Sequence, residues 1–444
     1  MVKTYKLHKF IGLGAGIVLF ILALSGFLLD HKQWDFLYST TFTNVPDNVK
    51  KSDNRLFDSY WIDPQDSQHA ILGSKRGIYE TFDEGKSFHL MSHMQTQSIK
   101  EQNKQLYAAT SDGVYLLESS KWKNFALKGQ YITSLAITDE FIVAVVDKSD
   151  IVTIKKENAQ ILSRKSVNIE SSQLQESITL SRFVRDLHYA RGLLEGDLSI
   201  LINDYGAVIL GYLALSGFLI WWLIHKKKTP KLTRKLIKTH SNILSIVALI
   251  PLLILAVTGI FLDHSSALMK FMTSVKIPHS VLPPVYSTLR HDIWSIDYDG
   301  KTYRVGNRYG VYKSSDLTQW QLENKGFAYK MIRKGNVLYV SGMGAPNRKY
   351  DGQWSILKNT PPMFRDIVNK NGQIHYFSFF HPSLPLPAFN DATLYSLMLT
   401  LHDGSFFASW WIWIDDLAAI AIVLLGLTGI MRWYKKRVRT VHKT

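Results

Sequence analysis

The chain has 444 residues, 46% hydrophobic and 20% charged, which is an average typical of a soluble protein. The hydrophobic residues are concentrated, however: Phe10–Leu29, Tyr205–Ile224 and Ser241–Leu262 contain no charge, and Leu417–Met431 is a shorter fourth stretch. The three longer stretches can each cross about 30 Å of hydrocarbon at ~1.5 Å per helical residue. The composition therefore excludes a soluble cytosolic enzyme, and four stretches exclude a seven-helix transporter.

The sequence contains no cysteine. This excludes disulfides, thiolate zinc sites, cysteine-ligated iron–sulfur clusters and the covalent attachment of c-type haem. Any metal centre must therefore use His, carboxylate, Tyr or Met side chains.

The net charge of +16 comes entirely from three short segments that flank the apolar stretches. Met1–Lys9, His225–Thr239 and Arg432–Thr444 contain sixteen Lys and Arg residues and no acidic residue, so the rest of the chain is neutral. Because such cationic segments mark the cytoplasmic side of a membrane, both termini and the middle loop are expected in the cytoplasm. The pattern predicts a multi-pass protein of the cytoplasmic (inner) membrane of a bacterium, in contact with the lipid bilayer and not with nucleic acid.

These features predict eight segments along the chain. They are a cytoplasmic tail with helix one (1–31), an extracytoplasmic β-rich domain (32–200), helix two (201–225), a basic cytoplasmic loop (226–239), helix three (240–264), a second extracytoplasmic β-rich domain (265–410), helix four (411–434) and a basic cytoplasmic tail (435–444).

The four apolar stretches share a motif that makes the chain a tandem repeat. Leu22–Leu28 and Leu213–Leu219 are identical, and Leu255–Phe261 and Leu425–Met431 keep the same Ser/Thr-Gly pair. Such small residues allow the close approach of another helix or of a flat ligand. The repeated unit is a helix, an outside domain, a Leu-His pair and a second helix, which predicts a bundle of four transmembrane helices. Pro251 is expected to kink helix three.

The two outside regions are expected to be all-β. Gly77, Gly113 and Gly310 each begin a Gly-aliphatic-Tyr sequence, and Thr81–Phe88 resembles the Asp-box hairpin of some β-propeller blades. Repeats of about 40 residues are typical of propeller blades. We expect about three blades from each half, which would form one propeller built from both halves; two separate small β domains are the alternative.

Six histidines occupy repeated positions at helix ends. They are His8 and His240 on the cytoplasmic side, and His31, His264, His188 and His402 outside. Since His8 and His31 lie roughly 34 Å apart along one helix, they define two levels. Neutral imidazole is a good iron ligand, so the six are predicted to hold the iron of b-type haem. One alternative is that these histidines lie at the membrane interface and bind no ligand. Another is that they bind zinc, although the sequence contains no known zinc-binding motif.

The histidines do not all pair unambiguously. His8 and His240 form the simplest inner pair, with His225 as a competitor that lacks a counterpart in the second half. The four outside histidines can serve one or two haems, so one to three haems are expected, with two levels favouring at least two. Asp186 and Asp403, next to the outside Leu-His pairs, are expected to hold the second ring nitrogen.

The Leu7-His8 pair, the Leu-Ser-Gly motif at Leu24–Gly26 and the Leu-His pairs before later helices resemble the PepSY-associated transmembrane family. The resemblance covers the four helices and their flanks, about a third of the chain. Members of this family include ferric-siderophore reductases that carry b-type haem in four helices, so the resemblance implies a similar protein here. It also makes His8, His188, His240 and His402 the better ligand candidates. The family's usual outside domain is a small α+β module, whereas β blades are expected here.

The sequence therefore predicts a haem-b membrane protein that transfers electrons to an extracytoplasmic acceptor, such as a ferric chelate or siderophore, as a transmembrane ferric reductase would. No dinucleotide-binding fingerprint is present, and the cytoplasmic loop is too short for a βαβ unit. The expected electron donor is consequently a membrane quinol or another membrane redox protein. The alternative function is a non-redox, membrane-anchored β-propeller-like protein that binds a partner or takes part in assembly.

Overall fold

The structure is a computed structural model that describes residues 2–379 and 383–441, so residues 442–444 of the expected basic tail lie outside it. The chain divides into two compact units. The first, here called the membrane unit, comprises residues 1–32, 179–277 and 395–444, and the second, the β unit, comprises residues 33–178 and 278–394. Residues 179–200, 265–277 and 395–410, expected in the outside β domains, thus belong to the membrane unit.

The helices of the described chain are numbered in chain order. They are α1 (Val2–Asp30), α2 (Phe36–Ser39), α3 (Asp47–Ser52), α4 (Leu180–His188), α5 (Gly196–His225), α6 (Pro230–His240), α7 (Ile243–Val247), α8 (Leu249–Asp263), α9 (Met269–Ser274), α10 (Leu394–His402) and α11 (Ile412–Val441). Short 3₁₀ turns lie at Asp53–Leu56, Ser171–Gln173, His279–Val281, Pro284–Ser287 and Ser409–Trp411.

Within the described residues, the strands form five four-stranded sheets and three two-stranded ones. Consecutive strands are paired in every sheet except the one in which β1 pairs with β26. The first half contributes β1 (Thr41–Phe42), β2 (Phe57–Ile62), β3 (Ala70–Ser74), β4 (Gly77–Thr81), β5 (His89–Ser92), β6 (Thr96–Gln102), β7 (Gln105–Thr110), β8 (Gly113–Glu118), β9 (Lys121–Ala126), β10 (Ile132–Ile137), β11 (Phe141–Val146), β12 (Asp150–Lys155), β13 (Ile161–Ser166) and β14 (Ile178–Thr179). The second half contributes β15 (Lys276–Ile277), β16 (Ser295–Tyr298), β17 (Tyr303–Gly306), β18 (Gly310–Ser314), β19 (Gln321–Lys325), β20 (Lys330–Lys334), β21 (Val337–Ser341), β22 (Arg348–Tyr350), β23 (Trp354–Ile356), β24 (Asp366–Lys370), β25 (Gln373–Phe377) and β26 (Ala392–Thr393).

Three helices of the membrane unit are long and apolar enough to cross a membrane, over Thr4–Asp30, Gly196–His225 and Ser409–Lys435. The helix pair Pro230–Val247 and Leu249–Asp263 is a fourth candidate span, bent by 68° at the break. Their shared core is formed by small and aliphatic side chains from α1, α5, α8 and α11 and the residue that precedes α8: Leu19, Ala23, Leu210, Ala248, Leu252, Ala256, Ala418, Ala419 and Ile422.

The single helix expected over residues 240–264 is interrupted twice. The side chain of Asn242 accepts a hydrogen bond from the backbone N–H of Ser245 and starts α7 as an N-cap. The second break, between Val247 and Leu249, lies one turn before Pro251, whose ring cannot bond to the carbonyl of Val247 and would clash with it. His240 therefore ends the cationic helix α6 and does not begin a membrane helix.

The β unit draws three larger sheets from each half of the chain, as the sequence spacing predicts, although the sixth has only two strands. The first strands of successive sheets contact one another in the order β2, β6, β10, β16, β20 and β24, and β24 contacts β2. Ser134 in β10 accepts a hydrogen bond from the N–H of Ile296 in β16, and Asp366 accepts one from Ser59 in β2. The sheets of the two halves consequently form one closed ring.

The Asp-box sequence forms the turn between β4 and β5. The Asp83 carboxylate accepts hydrogen bonds from the Thr81 and Ser87 hydroxyls and the Ser87 N–H, which hold the pKa of Asp83 well below its usual range. Asp316 organises the equivalent turn between β18 and β19. Each carboxylate is thus used inside its own turn, which is a structural role.

Candidate functional site

Four histidines of the membrane unit are hydrogen-bonded to the hydroxyls of the four Ser/Thr-Gly motifs. In each case the ring nitrogen is Nδ1, and the distance to the hydroxyl oxygen is 2.8–3.0 Å. The pairs are His8 with Thr428, His240 with Ser216, His188 with Thr258, and His402 with Ser25. Each motif thus holds one histidine from a different helix.

The same four hydroxyls also donate to the carbonyl oxygen four residues earlier in their own helices. The donor–acceptor distances are 2.6–2.7 Å, to Ile21, Tyr212, Ile254 and Leu424. Because a hydroxyl has one proton, its oxygen must accept a hydrogen bond from the imidazole. We infer that all four histidines carry their proton on Nδ1, which leaves the Nε2 lone pair available to a metal.

The glycine of each motif makes room for the imidazole that the preceding hydroxyl holds. A Cβ atom at Gly26 would lie 3.3 Å from Cε1 of His402, and one at Gly217 would lie 3.5 Å from Cε1 of His240. At Gly259 and Gly429 the corresponding distances, to His188 and His8, are 3.7 and 3.9 Å. Hydroxyl and glycine together therefore fix both the orientation and the position of each ring.

The four imidazoles form two pairs. The ring centroids of His8 and His240 are 6.4 Å apart, and those of His188 and His402 are 6.2 Å apart. Two imidazoles on opposite sides of one metal ion, each with a metal–nitrogen bond of about 2 Å, have centroids roughly 6 Å apart. The separation in each pair would allow both imidazoles to bind a single iron.

The His8–His240 pair lines a cavity of about 1080 Å³ inside the membrane unit. Its wall is largely apolar, and it includes several glycines that leave space for a flat ligand, namely Gly12, Gly16, Gly217, Gly426 and Gly429. None of the lining residues is acidic, whereas Lys9, Arg432 and Lys435 bring positive charge to the wall. The cavity suits a flat, apolar ligand that carries acidic groups, and a b-type haem with its propionates has this chemistry.

Arg432 lines this cavity, although the sequence alone indicates only that it belongs to the basic segment after helix four. Its guanidinium lies 5.3 Å above the ring of Tyr5, and its charge acts on both His8 and His240. His225 also lines the cavity, but it stacks on Trp221 at 5.8 Å and is not paired with another imidazole.

His31 and His264 lie apart from the two imidazole pairs and contact carboxylates. Nε2 of His31 is 3.4 Å from Asp204, and its Nδ1 donates to the carbonyl of Phe27 at 2.9 Å. Nε2 of His264 is 2.8 Å from Asp416. The structure thus brings four of the six predicted histidines together in pairs and places the other two in a second repeated arrangement.

The expectation that Asp186 and Asp403 hold the second ring nitrogen is wrong. Asp186 is buried against Arg182, which it contacts at 2.5 Å, and Asp403 accepts hydrogen bonds from Ser405. Hydroxyls of membrane helices take this role instead. The Ser/Thr-Gly motifs were the signal that could have indicated it, but helix packing explains such motifs equally well.

The described residues, 2–379 and 383–441, contain no group of three or more His, Asp or Glu side chains placed to hold a metal ion. Two axial ligands are enough for haem iron.

The chain matches the model of the PepSY-associated TM region over residues 5–436, and no curated protein matches it. Among solved structures, a structural genomics protein of unknown function from Bacteroides thetaiotaomicron aligns with a TM-score of 0.35 and 8% identity, over 71% of this chain and 64% of that one. The computationally designed Ika8 protein aligns with a TM-score of 0.31 and 8% identity, over 72% of this chain and 66% of that one. These scores carry no argument about fold, whereas the family model spans nearly the whole chain. The protein is therefore a membrane protein of the PepSY-associated transmembrane family.

Proposed function

We propose that this protein is a haem-b electron carrier of the cytoplasmic membrane that delivers electrons to an extracytoplasmic acceptor such as a ferric chelate. The observation that supports it most is the repeated hydrogen bond from an imidazole Nδ1 to a Ser or Thr hydroxyl, which leaves four Nε2 atoms free in two pairs. A helix-packing role for the Ser/Thr-Gly motifs would not require a histidine at every one of them.

The proposal assigns His8 and His240 to an inner haem and His188 and His402 to an outer one. The assignment of an inner and an outer haem rests on the cationic segments. These segments favour a cytoplasmic location for the end of the membrane unit that carries His8. Bound haem would supply one-electron redox chemistry at each level. The chain's own part is to hold the imidazoles in one tautomer, to keep water away with apolar helices, and to balance the propionates with Lys9, Arg432 and Lys435.

We further propose that the ring of six sheets in the β unit is a β-propeller. The closed order of first strands and the two Asp-box turns support it. A propeller offers a surface on which an acceptor can dock, which would give the β unit a role in choosing the substrate. The electron donor in this proposal is a membrane quinol.

The test is the haem content of histidine variants. Purified wild-type protein is expected to contain two b-type haems per chain, and His8→Ala and His240→Ala are each expected to lose one haem. Because both residues would serve the same iron, the double variant should lose no more than either single variant. Haem content is measured by the absorbance of the dithionite-reduced protein.

His225→Ala is the matched control, because His225 lines the same cavity without an imidazole partner, and it should keep both haems. His188→Ala and His402→Ala should each lose the other haem. Full haem content in His8→Ala, or a wild-type protein without haem, would contradict the proposal and favour a non-redox binding protein.

A further inference from the structure

The carboxylates at the start of α11 lack hydrogen-bond donors. Asp415 is 7% exposed, and neither of its carboxylate oxygens has a partner among the described residues. Asp416 uses Oδ2 to hold His264, but its Oδ1 is buried without a partner. The side chain of Trp411 and the carboxylates Asp263 and Asp403 also face Asp415, and the indole does not complete a hydrogen bond of normal geometry. Three buried acceptor atoms therefore lack donors. Leaving a buried acceptor without a hydrogen bond costs folding free energy in an apolar setting.

The residue that corresponds to Asp415 in the first half of the repeat is hydrogen-bonded. There Asn203 replaces Asp415, and its side-chain amide donates to Asp30 at 3.2 Å and to the backbone carbonyl of His188 at 3.3 Å. An ionised Asp415 cannot donate such bonds. Oδ1 of Asp204 is buried without a partner, as Oδ1 of Asp416 is, so the two halves differ at Asn203, which is hydrogen-bonded, and Asp415, which is not.

The two repeated histidines differ in the same way. His31 uses both ring nitrogens, on the Phe27 carbonyl and on Asp204. Nε2 of His264 is hydrogen-bonded to Asp416, and no described residue bonds to its Nδ1. The His264 side chain is also the more exposed of the two, at 24% against 13%. The second half therefore presents a ring nitrogen that has no partner among the described residues, on the more exposed of the two histidines.

Exposed apolar side chains lie beside the site. The ring of Trp413 lies 5.2 Å from that of His264, and Trp410, Trp413 and Leu417 are about 60% exposed at the start of a membrane helix. Indole rings at such positions mark the boundary between lipid and water. A ligand that arrives from the lipid with hydroxyl donors would meet both the aromatic surface and the unpaired carboxylates.

The site also lies close to the outer pair of histidines. A Cβ atom at Gly404 would lie 2.8 Å from Oδ2 of Asp415 and 2.4 Å from Trp411, so the backbone at this glycine is packed against the carboxylate. Gly404 is two residues from His402, and two residues span at most about 7 Å. Electrons would thus have a short path from this site to the outer iron.

From this geometry we propose that Asp415, Asp416 and His264 form the site at which a membrane quinol is bound and oxidised. This inference rests on the proposed haem function for its electron acceptors. The quinol loses two electrons and two protons and leaves as the quinone. The electrons reduce the two ferric haem irons to ferrous iron, one each. As the two quinol O–H bonds break, one proton goes to Nδ1 of His264 and the other to the carboxylate of Asp415.

The binding test uses short-chain ubiquinol and calorimetry on the purified full-length protein. Asp415→Asn introduces the residue that the first half has at this position, so the fold should accept it. It and His264→Asn are expected to weaken binding about tenfold to a hundredfold, because hydrogen bonds to charged groups are the strong ones. His31→Asn, the first-half counterpart, should bind as the wild type does.

The kinetic test follows the reduction of haem by the same quinol in rapid mixing. Asp415→Asn and His264→Asn should slow reduction at least tenfold, while dithionite still produces the full reduced spectrum. That spectrum confirms that the variants are folded, and if one variant loses haem, the other provides the measurement. Wild-type binding and reduction rates in both variants would overturn the proposal, as would loss of binding in His225→Asn alone, which would place the quinol in the cavity.

The outcomes separate this site from the haem assignment. If the protein contains no haem but binds ubiquinol in a way that depends on Asp415, the quinol site is supported and the haem proposal is contradicted. Two haems together with quinol binding that is indifferent to Asp415 and His264 would do the reverse.

Discussion

A hydroxyl on a membrane helix normally satisfies itself by donating to the carbonyl one turn earlier, and the four motif hydroxyls do this. What distinguishes them is that the second bonding position of each oxygen is taken by an imidazole from another helix. The hydroxyl thereby determines which ring nitrogen carries the proton. At the scale of single residues, this is the feature that separates these four histidines from interfacial ones.

Removing a motif hydroxyl should weaken one haem site and leave the other intact. Thr258→Val keeps the shape of the side chain but leaves Nδ1 of His188 without its acceptor. We expect haem affinity at the His188–His402 pair to fall about tenfold to a hundredfold, as for other residues that orient a metal ligand. Thr428→Val should have the same effect at the His8–His240 pair only. Titration of haem into the haem-free protein measures both.

Thr233→Val is the control for this pair of substitutions. The Thr233 hydroxyl donates to the carbonyl four residues earlier and bonds to no histidine. If Thr233→Val weakens haem binding as much as Thr258→Val does, the effect belongs to helix stability and not to the imidazole.

At the scale of elements, the breaks around α7 explain how His240 reaches its partner. A straight helix over residues 240–264 would have begun the membrane crossing at His240. Instead, the Asn242 cap and the effect of Pro251 on the preceding turn separate α6 from α8. His240 consequently sits at the end of a short cationic helix and meets Ser216 of α5 and the ring of His8 on α1.

The glycines of the motifs should tolerate no large side chain. We expect Gly26→Leu to displace His402, since even a Cβ atom there would lie 3.3 Å from the ring, and to remove the haem of the His188–His402 pair. Gly14→Leu is the matched control on the same helix, because a Cβ atom at Gly14 has no neighbour within 4 Å. Haem content per chain measures the difference, and equal loss in both variants would contradict a role in positioning His402.

At the scale of the whole molecule, the cationic segments predict the orientation of the protein in the membrane. A reporter fused after Thr444 should be cytoplasmic, and one inserted near Asn158, in the turn between β12 and β13, should be outside. The reason is that the sixteen unopposed cations all flank the helices on one side. A C-terminal reporter found outside the cytoplasm would reverse the inner and outer assignments of the two histidine pairs.

The apolar spans, the β-rich regions and the four histidines next to repeated patterns within the chain could all be predicted from the sequence. These features depend on local composition, on strand alternation and on the internal repeat, each of which is visible within a few tens of residues. The three-plus-three division of the sheets followed from the same spacing, and the turn at Asp83 followed from the Asp-box motif of Thr81–Phe88. The sequence by itself therefore determined where the apolar and the β-rich regions lie and which histidines are candidates, but not the breaks around α7 or the short helices that end at His188 and His402.

Only the tertiary structure decided how these histidines are paired and held. His8 and Thr428 are 420 positions apart, and Ser25 and His402 are 377 apart, so no local pattern connects them. The sequence favoured neighbouring aspartates as partners, whereas packing placed Asp186 against Arg182. It also left open whether the two β regions close into one ring, because closure depends on contacts such as that between Ser134 and Ile296. Contacts between residues so far apart in sequence form only when helices and sheets from both halves pack together and bury their surfaces. A local sequence pattern therefore cannot predict them.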